Sequence, residues 1–132
     1  MISYGLFDAY GVPAKPFYAF KAFAELLGTP QRVFSAGSDR EGFTVIAGLS
    51  PDKSQATVLI SNFAHGPRRY AIALKNLPWS GQFTCETYLL DGSRDLELVK
   101  SEGLNGTTAT LSVNDFTPPS VWLFRLKPSA GK

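Results

Sequence analysis

A short helix with an aromatic stripe constrains the fold of this chain more than any other feature. Residues Phe17 to Leu27 are predicted to be helical, and Gly28 is the expected C-terminal stop. Phe17, Phe20, Phe23 and Leu27 are spaced three or four residues apart, so they fall on one face of the helix. Rings of this size need a large apolar surface to cover them. We therefore expect this stripe to be a packing or interface face.

The pattern changes from helical to strand-like at Gly42. Short apolar runs then alternate with turns rich in Gly, Pro, Asp and Asn, which is typical of an antiparallel β-sandwich. The sequence predicts about seven strands, and they are Phe43–Leu49, Ala56–Phe63, Arg69–Leu74, Gln82–Leu90, Leu96–Ser101, Thr107–Val113 and Val121–Leu126. The run from Val121 to Phe124 is apolar at every position, so it is expected to be a central strand or one that packs on a neighbouring domain.

Composition excludes several classes of function. The net charge of +2 is small and the basic residues are scattered, so we expect no nucleic-acid partner. No apolar run approaches the roughly 20 residues that span a bilayer, so no membrane partner is expected. The single cysteine, Cys85, is in phase with Phe83 in a predicted strand, which favours a buried thiol. Neither a disulfide, a metal site nor a cofactor is predicted.

The opening segment also resembles a known family. Residues 4 to 26 follow the pattern Y-G-L-F-D-x-x-G-x-P-x-K-P-x-Y-A-F-K-A-F-x-x-L. This pattern is similar to the closing segment of retaining glycoside hydrolases with a (β/α)8 barrel, and most similar to family 39 and its relatives, which include β-xylosidases. The resemblance implies that Tyr4 to Asp8 end the eighth barrel strand and its loop. It also implies that Pro16 to Leu27 form the last barrel helix.

The resemblance implies a domain order and a function. Residues 1–30 would be the strand stub, loop and helix of a barrel, residues 31–41 a linker, and residues 42–128 a C-terminal β-sandwich. Both catalytic glutamates of such enzymes lie on barrel strands four and seven, so this chain is expected to be a non-catalytic accessory domain that supports the barrel. Its partner would then be the missing barrel domain, or a second copy of the chain bound through the Phe17–Leu27 helix. No signal peptide is recognisable, and a parent enzyme that is exported would carry one upstream.

A few side chains are weak candidates for direct contact with a sugar. Asp8 follows the expected eighth strand, on the face where barrel enzymes have active sites, although a turn-forming role is favoured. Trp79 and Tyr88 are candidates for sugar stacking, and of the two only Trp79 is expected to be exposed. Glu25 is expected to be an ordinary residue of the helix surface.

Two rival functions remain beside the accessory domain. A stand-alone carbohydrate-binding module would use Trp79 and Tyr88 to bind an oligosaccharide. An interaction domain without sugar chemistry would bind a protein partner on the aromatic stripe. Binding of oligosaccharides, and its loss in Trp79→Ala, would separate the first rival from the other two interpretations.

Overall fold

A computed structural model of the chain describes residues 15–33, 35, 43–62, 68–79, 81–115 and 119–129. Helix α1, Lys15–Ala24, continues directly into a 3-10 turn, Glu25–Gly28. The strands are β1 (Gln31–Val33), β2 (Phe43–Leu49), β3 (Ala56–Asn62), β4 (Arg68–Leu74), β5 (Gln82–Leu90), β6 (Asp95–Asn105), β7 (Ala109–Asp115) and β8 (Ser120–Pro128). The sequence predicts one uninterrupted α-helix here, but its last turn is a 3-10 turn. Such turns are common at helix ends, where the last carbonyl groups have no α-helical hydrogen-bond donors.

The strands form two antiparallel sheets. The larger sheet has six strands in the order β1-β2-β3-β8-β5-β6, and the smaller sheet pairs β4 with β7. The expected fold class, a mainly β sandwich that follows one short helix, is therefore confirmed. Strand β8 lies between β3 and β5 in the larger sheet, so the central position expected for its apolar run is also confirmed.

Two differences from the predicted strands have a physical explanation. Strand β1 lies inside the segment predicted to be a linker, and three exposed residues are too short a run to show a period of two. Strand β6 extends to Asn105, well beyond the predicted end at Ser101. The added residues pair with β5 in regular register, from Cys85 opposite Glu102 to Gln82 opposite Asn105. They include Gly103 and Asn105, residue types that are depleted in strands, so the local sequence there favours a turn over a strand.

The main core lies between the two sheets, against what we call the inner face of the larger sheet. Residues of β8 alternate across that sheet, with Trp122, Phe124 and Leu126 on the inner face. The buried members of this core are Val58, Ile60, Leu74, Phe83, Cys85, Leu111, Val113, Phe124 and Leu126.

A smaller core lies on the opposite side of the larger sheet, which we call the helix face. Ala22 of α1 is completely buried there against Leu59 of β3 and Leu123 of β8. Leu26 and Val121 are partly buried at the edge of this cluster. The larger sheet is thus packed on both faces, by the smaller sheet on one side and by the helix on the other.

The chain after the helix is seated on β2 by a very close approach. Thr29 is buried, and its N–H donates to the Leu26 carbonyl at 3.0 Å. A Cβ atom added to Gly48 would overlap the Thr29 carbonyl oxygen and lie 3.1 Å from Thr29 Oγ1. Glycine at position 48 therefore lets the end of the helical segment rest directly on the sheet backbone.

Cys85 is completely buried in the inner core, in phase with Phe83, which confirms the predicted orientation of β5. Burial, followed by the negative charge of Glu102, raises the pKa of the Cys85 thiol to about 11, from a reference value of 9.0. The folded state therefore holds the thiol proton more tightly than the unfolded chain does. The resulting contribution to the free energy of unfolding is fully present below pH 9.0 and is lost as the pH rises to about 11. The reactive thiolate is therefore scarce at neutral pH.

We expect Gly48→Ala to lower the free energy of unfolding by about 1–3 kcal/mol, because the new methyl group displaces the Thr29 backbone. Urea denaturation followed by circular dichroism measures the effect. Gly103→Ala is the matched control, since Gly103 is also a strand glycine but has no atom within 4 Å of the added Cβ position. Equal stability of the two variants would contradict the close approach.

Native protein at pH 8 is expected to leave Cys85 unlabelled by Ellman's reagent, because the thiol is both buried and protonated. Denaturation in guanidinium chloride should then expose one thiol per chain. Rapid stoichiometric labelling of the native protein would show that β5 presents its other face to the core.

Candidate functional site

The candidate site is the face of α1, and of the 3-10 turn that continues it, that points away from the sandwich. Phe20 is 65% exposed, Phe23 43% and Leu27 80%, although all three are large apolar side chains. We call these three residues the outer stripe. The helix does fold back onto the sandwich, but it does so with its Ala22 side and leaves the outer stripe in solvent.

Phe17, the fourth residue of the predicted stripe, is in a different environment. It is half-buried, and its ring meets that of Tyr18 edge to face, with centroids 5.2 Å apart and an interplanar angle of 86°. This contact shelters part of the Phe17 ring within the helix itself. The exposed apolar surface therefore begins one turn later, at Phe20.

The helix has two apolar sides, and periodicity alone does not decide which one is buried. Small residues such as Ala22 let the helix approach the sheet closely, whereas a phenylalanine would hold it further away. Sequence reasoning ranks large side chains as the more buried, because burial of a ring removes more apolar surface from water. The observed orientation reverses that ranking.

A cluster of polar groups joins the helical segment to the helix face, and we call it the Arg125 cluster. The Arg125 guanidinium of β8 donates to Glu25 Oε1 through Nη2. Its Nη1 lies 4.0 Å from Glu86 Oε1, and its central carbon lies 5.4 Å from the centre of the Tyr88 ring. Tyr88 donates its hydroxyl hydrogen to Glu86 Oε1 at 3.3 Å. Desolvation, followed by the charge of Glu86, raises the pKa of Tyr88.

Sequence reasoning missed this cluster. Glu25 is more than the surface residue that was expected, because its carboxylate binds a guanidinium on the sheet. One signal could have found it. Arg125 alternates in phase with Val121 and Leu123, so a charged group lies beside apolar residues in the middle of β8 and needs a partner there.

The two candidate stacking residues lie on opposite faces of the larger sheet. Trp79 packs against the inner core, with its ring 5.7 Å from that of Phe83. Its indole N–H donates to the Lys53 carbonyl at 2.7 Å, which ties the ring to the β2–β3 turn. Tyr88 packs on the helix face. The structure therefore does not bring these two rings together on one sugar-stacking surface, and Trp79 is half-buried where exposure was expected.

Two further polar features of the described ranges are a buried carboxylate and a groove. Asp91 is buried, but its carboxylate accepts the backbone N–H groups of Ser93 and Arg94, both at 2.9 Å, and so it shapes the β5–β6 turn. A shallow groove of about 420 Å³ is lined by Gln82, Gly103, Leu104, Asn105 and Ser129, none of which is an acid.

Asp8, the weak candidate for the substrate rim, lies outside the described residues. Among the residues that are described, no group of three or more His, Cys, Asp or Glu side chains could hold a metal ion. No helix in the same part of the chain is both long enough and apolar enough to cross a membrane.

The fold matches parts of solved glycoside hydrolases. A glucosidase from Croceicoccus marinus matches 96% of this chain with a TM-score of 0.83 and 20% sequence identity. An endoxylanase of glycoside hydrolase family 30 from Clostridium papyrosolvens matches 95% of the chain, with a TM-score of 0.70 and 19% identity. A family 30 subfamily 8 xylanase from Clostridium acetobutylicum matches 93%, with a TM-score of 0.67 and 15% identity.

These matches establish the fold. Most of each matched enzyme has no equivalent in this chain. The chain spans 34% of the glucosidase and 30% of each xylanase. The structural neighbours are glycoside hydrolases, as the resemblance implies, but family 39 is not singled out among them. No protein-family model matches the chain, and no curated protein is significantly similar to it in sequence.

Two substitutions in one helix test the observed orientation of α1. Phe20→Asp should change the free energy of unfolding by no more than about 0.5 kcal/mol, because the Phe20 ring is mostly in solvent. Ala22→Asp should cost about 3 kcal/mol or more, because it places an unpaired charge in the small core. Thermal and urea denaturation measure both changes. A large loss of stability in Phe20→Asp with a small one in Ala22→Asp would mean that the helix is turned the other way.

Proposed function

We propose that this chain is the non-catalytic C-terminal accessory domain of a retaining, xylosidase-like glycoside hydrolase, and that it supports the barrel domain of that enzyme. The observation that carries the proposal is the outer stripe of α1. A helix with apolar side chains on two sides needs two apolar surfaces to cover them. Helix α1 already has its Ala22 side against the sandwich, and its outer stripe still needs a cover.

The size of the outer stripe favours a linked domain over a second copy of the chain. Three side chains present only a few hundred Å² of apolar surface, whereas an independent complex generally buries roughly 1,000 Å² or more. A domain in the same polypeptide is present at an effective concentration of millimolar order, so a smaller interface holds it. The chain also corresponds to about a third of the glucosidase and of the two family 30 xylanases, which is consistent with a larger parent.

In this proposal α1 is shared between two domains. Residues 1–30 come from the barrel part of the parent, and residues 42–128 form the accessory sandwich. The segment 31–41 between them is the proposed linker, and it begins with β1, which already pairs with β2 at the edge of the larger sheet. The helix would present its outer stripe to the barrel while its other side stays on the six-stranded sheet. Such a helix couples the two domains rigidly, because neither can move without exposing apolar surface.

The proposed absence of catalysis rests on the chemistry of glycoside hydrolysis. A retaining enzyme needs two carboxyl groups about 5–5.5 Å apart, one as acid and base and one as nucleophile. Glu25 and Glu86 are neighbours, but both interact with the Arg125 guanidinium at the contact between helix and sheet. We place the two catalytic glutamates in the barrel, as in the family that the sequence resembles.

The first test is an assay of the isolated chain. We expect no hydrolysis of aryl xylosides, glucosides or arabinosides above a heat-killed control. Activity that disappears when one carboxylate of this chain is substituted would contradict the proposal. Titration with xylo-, cello- and arabino-oligosaccharides belongs in the same experiment, because saturable micromolar binding lost in Trp79→Ala would favour a carbohydrate-binding module.

The second test uses the chain together with the polypeptide encoded directly upstream of it in the same gene. Substituting Phe20, Phe23 and Leu27 together with serine should lower the thermal midpoint of the upstream domain, because its cover would be lost. Leu98→Ser is the control, since Leu98 is 52% exposed but belongs to β6 and not to the helix. If the upstream domain melts at the same temperature with the triple serine variant as with the unsubstituted chain, that result would argue against a supporting role.

A further inference from the structure

The orientation of α1 needs an explanation, because the larger side chains are the ones left in water. Burial of a phenylalanine removes about 150–250 Å² of surface from solvent, far more than burial of an alanine does. Apolar attraction is also non-directional, so it does not by itself select the Ala22 side. The amount of apolar area buried would by itself favour a helix rolled about its axis, with the outer stripe against the sheet.

The position of Glu25 opposes that roll. Successive residues of a helix are separated by about 100°, which places Glu25 about 140–160° around the axis from Phe20 and Phe23. Glu25 therefore reaches Arg125 only while the outer stripe points away from the sheet. Turning the stripe inward would break the ion pair and carry the Glu25 carboxylate toward solvent.

Arg125 is well placed to act as a fixed anchor. It lies on β8, which is hydrogen-bonded to β3 on one side and to β5 on the other. Glu86 lies directly opposite Arg125 on β5, and Tyr88 lies under the guanidinium. The Arg125 side chain is only 24% exposed. The group that holds the helix is therefore itself held by the middle of the larger sheet.

We propose that Arg125 is a positioning residue which, through Glu25, sets the roll of α1 and keeps the outer stripe turned toward a partner. The biological role of the contact between Arg125 and Glu25 rests on the proposed function, because the contact exposes the surface that would dock on the barrel. The effect of that contact on the roll of the helix does not depend on the proposed function. The roll of the helix is a property of the 132-residue chain alone and is measured without any partner.

A reporter thiol on α1 measures the roll. Ala24 is exposed and lies beside the outer stripe, so the rate at which Ala24→Cys reacts with N-ethylmaleimide reports how far that side faces solvent. Cys85 is buried and does not compete for the reagent. The rate is compared in the Ala24→Cys background with Arg125 intact and replaced, after circular dichroism has verified that each variant is folded.

Arg125→Gln is expected to slow the labelling about twofold or more, because the released helix turns position 24 toward the sheet. Arg125→Lys should restore the rate, since it keeps the positive charge. Lys100→Gln is the matched control. It also removes one positive charge, and it breaks an ion pair within β6, where Lys100 lies 3.2 Å from Glu102. Glu25→Gln should reproduce the effect of Arg125→Gln and replaces it if that variant does not fold.

Two results would overturn the proposal. An unchanged labelling rate in Arg125→Gln and Glu25→Gln would mean that packing sets the roll without the ion pair. Faster labelling with a lower melting temperature would mean that Arg125 merely attaches the helix. Slower labelling in Arg125→Gln would support the positioning role even if serine at positions 20, 23 and 27 left the thermal midpoint of the upstream domain unchanged. That pair of results would reject only the supporting function.

Discussion

Strand β8 is covered on both faces, and the rest of the structure is arranged around it. Its even-numbered residues, such as Phe124, pack between the two sheets, while odd-numbered ones such as Leu123 pack under the helix. A strand with this double burial has to lie in the middle of a sheet and needs two separate covers. The two-stranded sheet supplies one cover and α1 supplies the other. The single charged residue in the middle of the strand, Arg125, accordingly sits where a partner from the helix can reach it.

The architecture was largely predictable, because it depends on patterns that survive in the sequence. Alternating runs bounded by Gly, Pro and Asp gave seven of the strands, and the apolar run from Val121 to Phe124 indicated the central one. The phase of Cys85 with Phe83 oriented β5 correctly. The prediction lost accuracy at the end of β6, where Gly103 and Asn105 have little strand preference although they pair regularly with β5. It also missed β1, which consists of a few main-chain hydrogen bonds and no buried side chain.

The candidate site was predictable only in part, because helical spacing identifies faces without ranking them. The sequence located the aromatic stripe and predicted an interface there, and that interface remains a proposal. The side that packs on the sandwich instead presents Ala22, a residue whose small size carries no signal in a hydrophobic pattern. The contact between Glu25 and Arg125 joins residues 100 positions apart, so no local pattern contains it. For Trp79, its place in a turn suggested exposure, while the backbone carbonyl of Lys53 and the Phe83 ring hold it on the core.

The placement of the two tryptophans determines what optical methods report about this protein. Trp79 and Trp122 both pack on the core between the sheets, and the described helix contains no indole. Intrinsic tryptophan emission is therefore a signal of the sandwich, insensitive to whether α1 lies on the sheet, has turned about its axis or has come away. A release of the helix that precedes global unfolding would leave the emission spectrum almost unchanged while the helical dichroism falls. Two probes that disagree would then mark the helix and the sandwich as separate cooperative units.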